Sequence, residues 1–133
     1  MASSAYNAAA VAIQTGVDIV EIDRIADLVR RYGERFGRRV FAPDEWSRYR
    51  DQPPSLAARF AAKEAVIKAL GSPEVALHEI RVARPEGGRP TIELSGRARE
   101  RAERLGVRAI AVSLSHARTY AVAVVVLEHA GGA

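Results

Sequence analysis

The 133-residue chain contains no cysteine, few aromatic residues and hardly any lysine. The absence of cysteine excludes disulfide bonds, thiolate metal sites and cysteine nucleophiles. It also fits a reducing cytoplasm, where we expect the protein to be located. No run of about 18 apolar residues occurs, so the sequence predicts no membrane-spanning helix. Residues 1–12 lack the basic start and the long apolar core of a signal peptide, and we expect none.

The net charge of +4 indicates an anionic partner. That partner could be a nucleic acid, a phosphorylated small molecule, an acidic protein or a membrane surface. Aromatic residues make up only 6% of the chain, and no aromatic run interleaves the basic stretch. Single-stranded nucleic acids are usually bound on such aromatic platforms. A basic nucleic-acid-binding domain is therefore kept only as a rival interpretation, and no nucleic-acid partner is expected.

The patterns of apolar residues predict a single α+β domain, an antiparallel sheet with helices packed on it. We expect a flexible extension over residues 1–10 and the domain over residues 11–130. Strands are predicted over 11–22, 77–83, 90–94, 107–114 and 119–128, and helices after residue 23 through 36, from residue 43, over 56–70 and over 97–105. Asp23 and Ser55 are predicted to cap the first and third of these helices. The strongly apolar last strand predicts burial on both faces, in the core or in an oligomer interface.

Both lysines lie in one short segment, at Lys63 and Lys68, and every other basic side chain is an arginine. Lysine is a compact point charge and arginine a planar fork, so this pair indicates a need for point charges here. Chance within an arginine-biased composition explains the pair equally well. Lys63 falls on the apolar stripe of its predicted helix. We therefore expect its stem to pack while its charge reaches solvent or a neighbouring subunit.

Glu64 and Lys68 are i,i+4 neighbours on the same predicted helix, above the small residues Ala57 and Ala61, which leave room for a ligand. Asp18 lies on the first predicted strand, on the opposite face from its apolar neighbours. If strand and helix pack together, Asp18 and Glu64 could meet. Two carboxylates, with waters and substrate phosphates, are how Mg²⁺ is usually held. The alternatives are an exposed Glu64–Lys68 ion pair and an Asp18 that only ends its strand.

Three segments form a recognisable set: residues 16–22 (GVDIVEI), 59–69 (RFAAKEAVIKA) and 112–116 (VSLSH). Together they resemble the signatures of holo-[acyl-carrier-protein] synthases, the small 4′-phosphopantetheinyl transferases, and their order and spacing match over nearly the whole chain. The resemblance implies a transferase that moves 4′-phosphopantetheine from coenzyme A to a serine of an acidic acyl carrier protein, releasing adenosine 3′,5′-bisphosphate. It also implies dependence on Mg²⁺ and a homotrimer with its sites between subunits.

The resemblance implies roles for individual residues as well. Asp18 and Glu64 match the family's Mg²⁺ ligands, and Lys68 matches a lysine near the transferred phosphate; these three are the predicted catalytic residues. Coenzyme A contacts are implied at Arg59, Lys68, Gly71, Arg89, Pro90, Ser115 and His116. Docking of the carrier protein is implied at Arg24, Arg31 and Arg39. A non-catalytic homologue that only binds the carrier or coenzyme A is the remaining alternative.

Overall fold

Two antiparallel sheets pack around one long helix in the computed structural model, which describes residues 12–130. The strands are β1 (Ile13–Glu21), β2 (Ile80–Ala83), β3 (Thr91–Leu94), β4 (Val107–His116) and β5 (Tyr120–His129). The helices are α1 (Ile22–Tyr32), α2 (Glu34–Val40), α3 (Pro43–Tyr49), α4 (Pro53–Leu70) and α5 (Gly96–Leu105). A 3-10 turn over Leu77–Glu79 precedes β2. The predicted α+β fold class is confirmed, although the strands form two sheets rather than one.

The larger sheet has the order β1-β5-β4, and the smaller one pairs β2 with β3. In the larger sheet Asp18 lies opposite Ala123, and Leu114 lies opposite that same alanine on the other side. The inward face of β5 is completely buried and consists of Ala121, Ala123, Val125 and Leu127. Small inward side chains let the sheet approach the helix that covers it, which is α4.

Helix α4 is the centre of the core. Twelve of its 18 residues are buried, including six alanines: Ala57, Ala58, Ala61, Ala62, Ala65 and Ala69. A helix that is buried on almost every side needs no polar face. Ala57 and Ala61 have no exposed surface, so the space predicted above them for a ligand is filled by packing. That part of the prediction is wrong.

The outward face of the larger sheet is apolar and exposed. It carries Ile13, Val17 and Ile19 of β1 and Tyr120, Val124 and Val126 of β5, each between 38% and 63% exposed. Single exposed apolar residues are common, but a contiguous patch of this kind usually marks an interaction site. The last strand is thus buried on only one face within the chain, and its second face is not covered by the core.

Several predicted boundaries are wrong. The helix predicted to run through Phe36 is two helices, α1 and α2, because Gly33 adopts a positive φ of 50° between them. Asp23 lies inside the first turn of α1 rather than at its cap. Ser55 lies inside α4, which begins two residues earlier at Pro53, since proline is well tolerated in a first helical turn. Residues 1–10 and Val11, the predicted extension and strand start, lie outside the described residues.

Candidate active site

Lys68 links α4 to β1 through Asp18. Its ammonium group donates hydrogen bonds to Asp18 Oδ1 at 3.1 Å and to the carbonyl oxygen of Val17 at 3.0 Å. The Asp18 side chain is only 18% exposed, whereas that of Lys68 is 55% exposed. The lysine therefore partners the strand carboxylate and not Glu64, as the helical spacing alone would suggest. Half of its side chain remains open to a ligand.

Gly16 brings β1 close enough for this contact. A Cβ atom at this position would lie 1.9 Å from the carbonyl oxygen of Ala65, so only glycine allows the two backbones to approach so closely. Asp18 is two residues further along the same strand and hence points to the same face. The glycine in β1 therefore lets the Asp18 carboxylate lie directly against α4.

Glu64 lies half-buried on α4 beside the same cluster. Its pKa is raised, first because burial disfavours the charged carboxylate and second because of the negative charge of Asp18. Lys68 and Arg24 partly offset this rise in the pKa. Two carboxylates and two cations therefore share one small region. The structure brings together all three predicted catalytic residues, Asp18, Glu64 and Lys68.

This pair of carboxylates fits a hard divalent cation such as Mg²⁺, which accepts oxygen ligands and needs few from the protein. A bound cation would offset both causes of the raised pKa of Glu64, which are burial of the carboxylate and the negative charge of Asp18. Among residues 12–130, no group of three or more histidine or carboxylate side chains is arranged to hold a metal ion. A cation held by Asp18 and Glu64 would thus need further oxygen ligands from water or from a substrate.

Most of the residues implied in coenzyme A binding line two adjoining cavities. The first, of about 320 Å³, is lined by Ser55, Ala58, Arg59, Arg84, Leu114, Ser115 and His116. The second, of about 380 Å³, is lined by Arg84, Arg89, Pro90, Val112, Ser113 and Leu114. Arg84 and Leu114 belong to both. A wider cavity of about 660 Å³ next to α2 and α3 contains none of the predicted site residues.

Arg84 is a cavity residue that the sequence patterns missed. It follows β2 directly and is the one basic side chain common to both cavities. An arginine immediately before the Pro85–Gly88 turn was the only available signal, and in a chain with so many arginines it did not stand out. Gly71, by contrast, ends α4 with a left-handed φ of 63° and is not among the residues that line either cavity.

Lys63 differs from the prediction. It is fully buried, and its ammonium group donates to Glu45 Oε1 at 2.7 Å and to the carbonyl oxygen of Ile80. Its charge therefore reaches neither solvent nor a neighbouring subunit. The physical reason is that α3 supplies a carboxylate inside the core, which compensates a buried ammonium group. Lys63 is a structural residue, and only Lys68 of the two lysines belongs to the exposed cluster.

A third cavity, of about 430 Å³, lies between α1, α2 and α4. It is lined by Arg24, Leu28, Tyr32, Arg35, Phe36, Arg39, Val40 and Phe60. Its floor is apolar and its rim carries three arginines, of which Arg35 is not one of the three residues implied in docking. The guanidinium carbon of Arg24 lies 5.8 Å from the centroid of the Phe60 ring. Because Arg24 also lowers the pKa of Glu64, it connects this cavity to the Glu64 cluster. Arg31 does not line it and instead forms an ion pair with Asp27 at 3.7 Å.

The fold and the site together define a class: an α+β protein with a carboxylate–lysine cluster on its central helix and basic cavities nearby. The chain matches the model of the 4′-phosphopantetheinyl transferase superfamily over residues 14–125. It belongs to that family.

Curated relatives and a solved structure agree with this assignment. The chain is 50% identical over 121 residues to the holo-[acyl-carrier-protein] synthase of Herpetosiphon aurantiacus, covering 84% of this chain and 95% of that one. It is 50% identical over 117 residues to the same-named protein of Dehalococcoides mccartyi, covering 87% and 98%. Its fold resembles the Helicobacter pylori holo-[acyl-carrier-protein] synthase solved in complex with coenzyme A, with a TM-score of 0.77, 33% identity and coverage of 86% and 99%.

Proposed function

We propose that this protein transfers 4′-phosphopantetheine from coenzyme A to a serine hydroxyl of an apo acyl carrier protein. The observation that carries the proposal is the cluster of Asp18, Glu64 and Lys68 on packed β1 and α4. The relatives at 50% identity bear the name of this activity.

In the reaction, the serine oxygen forms a bond to the phosphorus that carries pantetheine. The bond from that phosphorus to the oxygen that bridges the two phosphates breaks, and adenosine 3′,5′-bisphosphate leaves with that oxygen. The serine proton passes to water or to a nearby carboxylate.

Asp18 and Glu64 are the residues that would hold Mg²⁺ in this proposal, together with diphosphate oxygens of coenzyme A. When bound, the ion supplies Lewis-acid neutralisation of charge on the phosphates. The exposed ammonium group of Lys68 adds a point charge at the same place. Phosphoryl transfer depends mainly on positioning and on charge stabilisation, so the reaction needs no protein nucleophile.

The two adjoining cavities are the proposed binding site for the rest of coenzyme A. Arg59 and Arg84 present cations suited to phosphate oxygens, and Ser115 and His116 add hydrogen-bonding groups. Arg89 and Pro90 line the second cavity, where a flat, partly apolar ring could lie. Gly71 would contribute through its backbone at the end of α4, close to Lys68.

The Asp18 cluster and the Arg59 cavity are separated on α4, which supports a site completed between subunits. Arg59 and Glu64 are five residues apart, which on a helix is a rotation of about 140°, and the cavity lining includes none of Asp18, Glu64 and Lys68. The exposed apolar face of β1 and β5 is the proposed subunit interface. We propose a homotrimer. Light scattering should give three times the monomer mass, and a monomer at assay concentration would contradict it.

The cavity with an apolar floor and an arginine rim is the proposed docking site for an acidic carrier protein. Arg24 and Arg39 stand at its edge, and Arg31 extends the basic surface along α1. Opposite charges at a rim steer association and set specificity. Among residues 12–130, no helix is long and apolar enough to cross a membrane. The proposed setting is the cytoplasm, where coenzyme A and carrier proteins meet.

One experiment tests the proposed activity. The protein is incubated with coenzyme A, Mg²⁺ and several apo carrier proteins, and each carrier is weighed by mass spectrometry. The expected result is the added mass of one phosphopantetheine on a carrier, absent when its serine is replaced by alanine. Binding without added mass would support a non-catalytic homologue instead. Mg²⁺-independent, steeply salt-dependent binding of nucleic acid would favour the rival DNA- or RNA-binding interpretation.

A further inference from the structure

Arg59 is an unusual buried cation. It is only 3% exposed, and its hydrogen bond within the chain runs from Nη1 to the carbonyl oxygen of Ser55 at 3.1 Å. Its Nε is buried and has no hydrogen-bond partner among residues 12–130. Within residues 12–130 it forms no ion pair with a carboxylate. Burying a charge is costly unless another group compensates it, so something else must stabilise this guanidinium.

That group is the ring of Tyr49. The guanidinium carbon of Arg59 lies 3.5 Å from the ring centroid, whereas the other cation–ring contacts of the described residues are 5.0 Å or longer. Tyr49 itself is buried on α3. An aromatic face stabilises a cation without using its in-plane N–H donors, which a carboxylate partner would occupy. Arg59 therefore keeps donors free at the wall of a cavity that also contains Arg84 and His116.

The position of Tyr49 is fixed by a second contact one helical turn away. Glu45, four residues before Tyr49 on α3, accepts the hydrogen bond from Lys63, four residues after Arg59 on α4. Two contacts one helical turn apart thus join α3 to α4: the ion pair between Glu45 and Lys63 and the cation–ring contact between Tyr49 and Arg59. Glu45 also accepts hydrogen bonds from the backbone N–H groups of Ala42 and Val82 at 2.8 Å and 3.0 Å. This arrangement fixes α3 against both α4 and β2, the strand that leads to Arg84.

We propose that Tyr49 is a positioning residue for coenzyme A. The ring of Tyr49 holds the Arg59 guanidinium in a fixed orientation, so that its N–H groups can receive a phosphate group of coenzyme A. The proposal rests on the proposed function, because it takes the phosphates of coenzyme A as the anion. Tyr49 does not touch the substrate in this account. It acts only through Arg59, and this makes the effect separable from a general role in packing.

The test is calorimetric binding of coenzyme A to full-length variants, together with transfer kinetics. Tyr49→Leu should weaken binding about tenfold, as expected for loss of a desolvated cation–ring contact, and raise the KM for coenzyme A without changing that for the carrier. Tyr49→Phe keeps the ring face and should bind as the wild type does. Trp46→Leu removes another buried aromatic from α3 and should leave coenzyme A binding unchanged.

A double-mutant cycle separates positioning from packing. In an Arg59→Ala background, adding Tyr49→Leu should cause no further loss of coenzyme A affinity. Three results would each overturn the inference. They are additive losses of coenzyme A affinity in the double variant, wild-type affinity in Tyr49→Leu, and an equal loss of affinity in Trp46→Leu. If Tyr49→Leu does not fold, Tyr49→Met takes its place in the same cycle. Failure of the proposed function gives a different result. If the wild type binds coenzyme A but modifies no carrier, the proposed function is wrong and the Tyr49 proposal can still be tested. If the wild type does not bind coenzyme A at all, both the proposed function and the Tyr49 proposal are wrong.

Discussion

Lys63 and Glu45 form an ion pair inside the core, with a 2.7 Å contact and side chains that are 0% and 1% exposed. The pair joins α3 to α4, and the carboxylate also accepts the N–H group of Val82 in β2. Removing one partner of such a pair leaves an uncompensated buried charge, whereas replacing both does not.

We therefore predict that Lys63→Met alone and Glu45→Gln alone each lower the free energy of unfolding by about 3–5 kcal/mol. The double variant should recover part of that loss. Urea denaturation measures all three. Additive losses in the double variant would show that the two charges are not coupled.

Gly16 is the position where β1 depends most on having no side chain. Gly16→Ala places a methyl group against the Ala65 backbone, which cannot move as a side chain can. We expect a loss of at least about 1–3 kcal/mol in the free energy of unfolding and reduced transfer, because Asp18 moves away from Lys68. Gln14→Ala, an exposed position on the same face of β1, should stay within about 0.5 kcal/mol of the wild type. Equal stability of Gly16→Ala and wild type would contradict the close approach.

The raised pKa of Glu64 predicts a pH-dependent stability in metal-free protein. A carboxyl whose pKa is higher in the folded than in the unfolded state costs stability as the pH rises from the unfolded towards the folded pKa. In EDTA, Glu64→Gln should therefore melt at a higher temperature than the wild type at pH 7. The difference should shrink towards zero as the pH falls to about 4, where the unfolded carboxyl is largely protonated as well.

Asp44 provides a control of opposite sign. Its pKa is lowered, chiefly by hydrogen bonding to Arg81, so this carboxylate adds stability at neutral pH that is lost in acid. Asp44→Asn should melt below the wild type at pH 7 and converge with it at low pH. If Glu64→Gln instead melted below the wild type at pH 7, as expected for Asp44→Asn, this would contradict the raised pKa that Glu64 owes to burial and to Asp18.

The docking proposal separates three arginines by their surroundings. Arg39→Glu and Arg24→Glu alter the rim of the apolar cavity, so each should raise the KM for the carrier protein about tenfold or more. Arg31→Glu should have a smaller effect, because Arg31 lies outside that cavity and is partly engaged with Asp27. Arg104→Glu on α5 is the charge-matched control and should leave the KM unchanged. Equal effects of all four would indicate net charge alone and no defined docking site.

The pattern placed Glu64 and Lys68 on one helix stripe and Asp18 on a strand, but it left open whether strand and helix bring them together. The cluster was predicted only through the resemblance of three segments to the signatures of one family. The Lys63–Glu45 pair could not be predicted, because its partners are 18 residues apart and no local pattern marks a charge as buried. The break at Gly33 was also missed, since the helical spacing of apolar residues continues across it to Phe36. Ring stacking of Tyr49 on Arg59 likewise depends on how α3 packs on α4.

The most direct test of the central claim is the transfer rate of Glu64→Gln, measured by mass spectrometry of the carrier at saturating coenzyme A and limiting Mg²⁺. Circular dichroism first establishes that the variant is folded. If Asp18, Glu64 and Lys68 form the reaction centre, the variant should be slower than the wild type by at least about 100-fold. A rate within a few-fold of the wild type under these conditions would contradict the assignment.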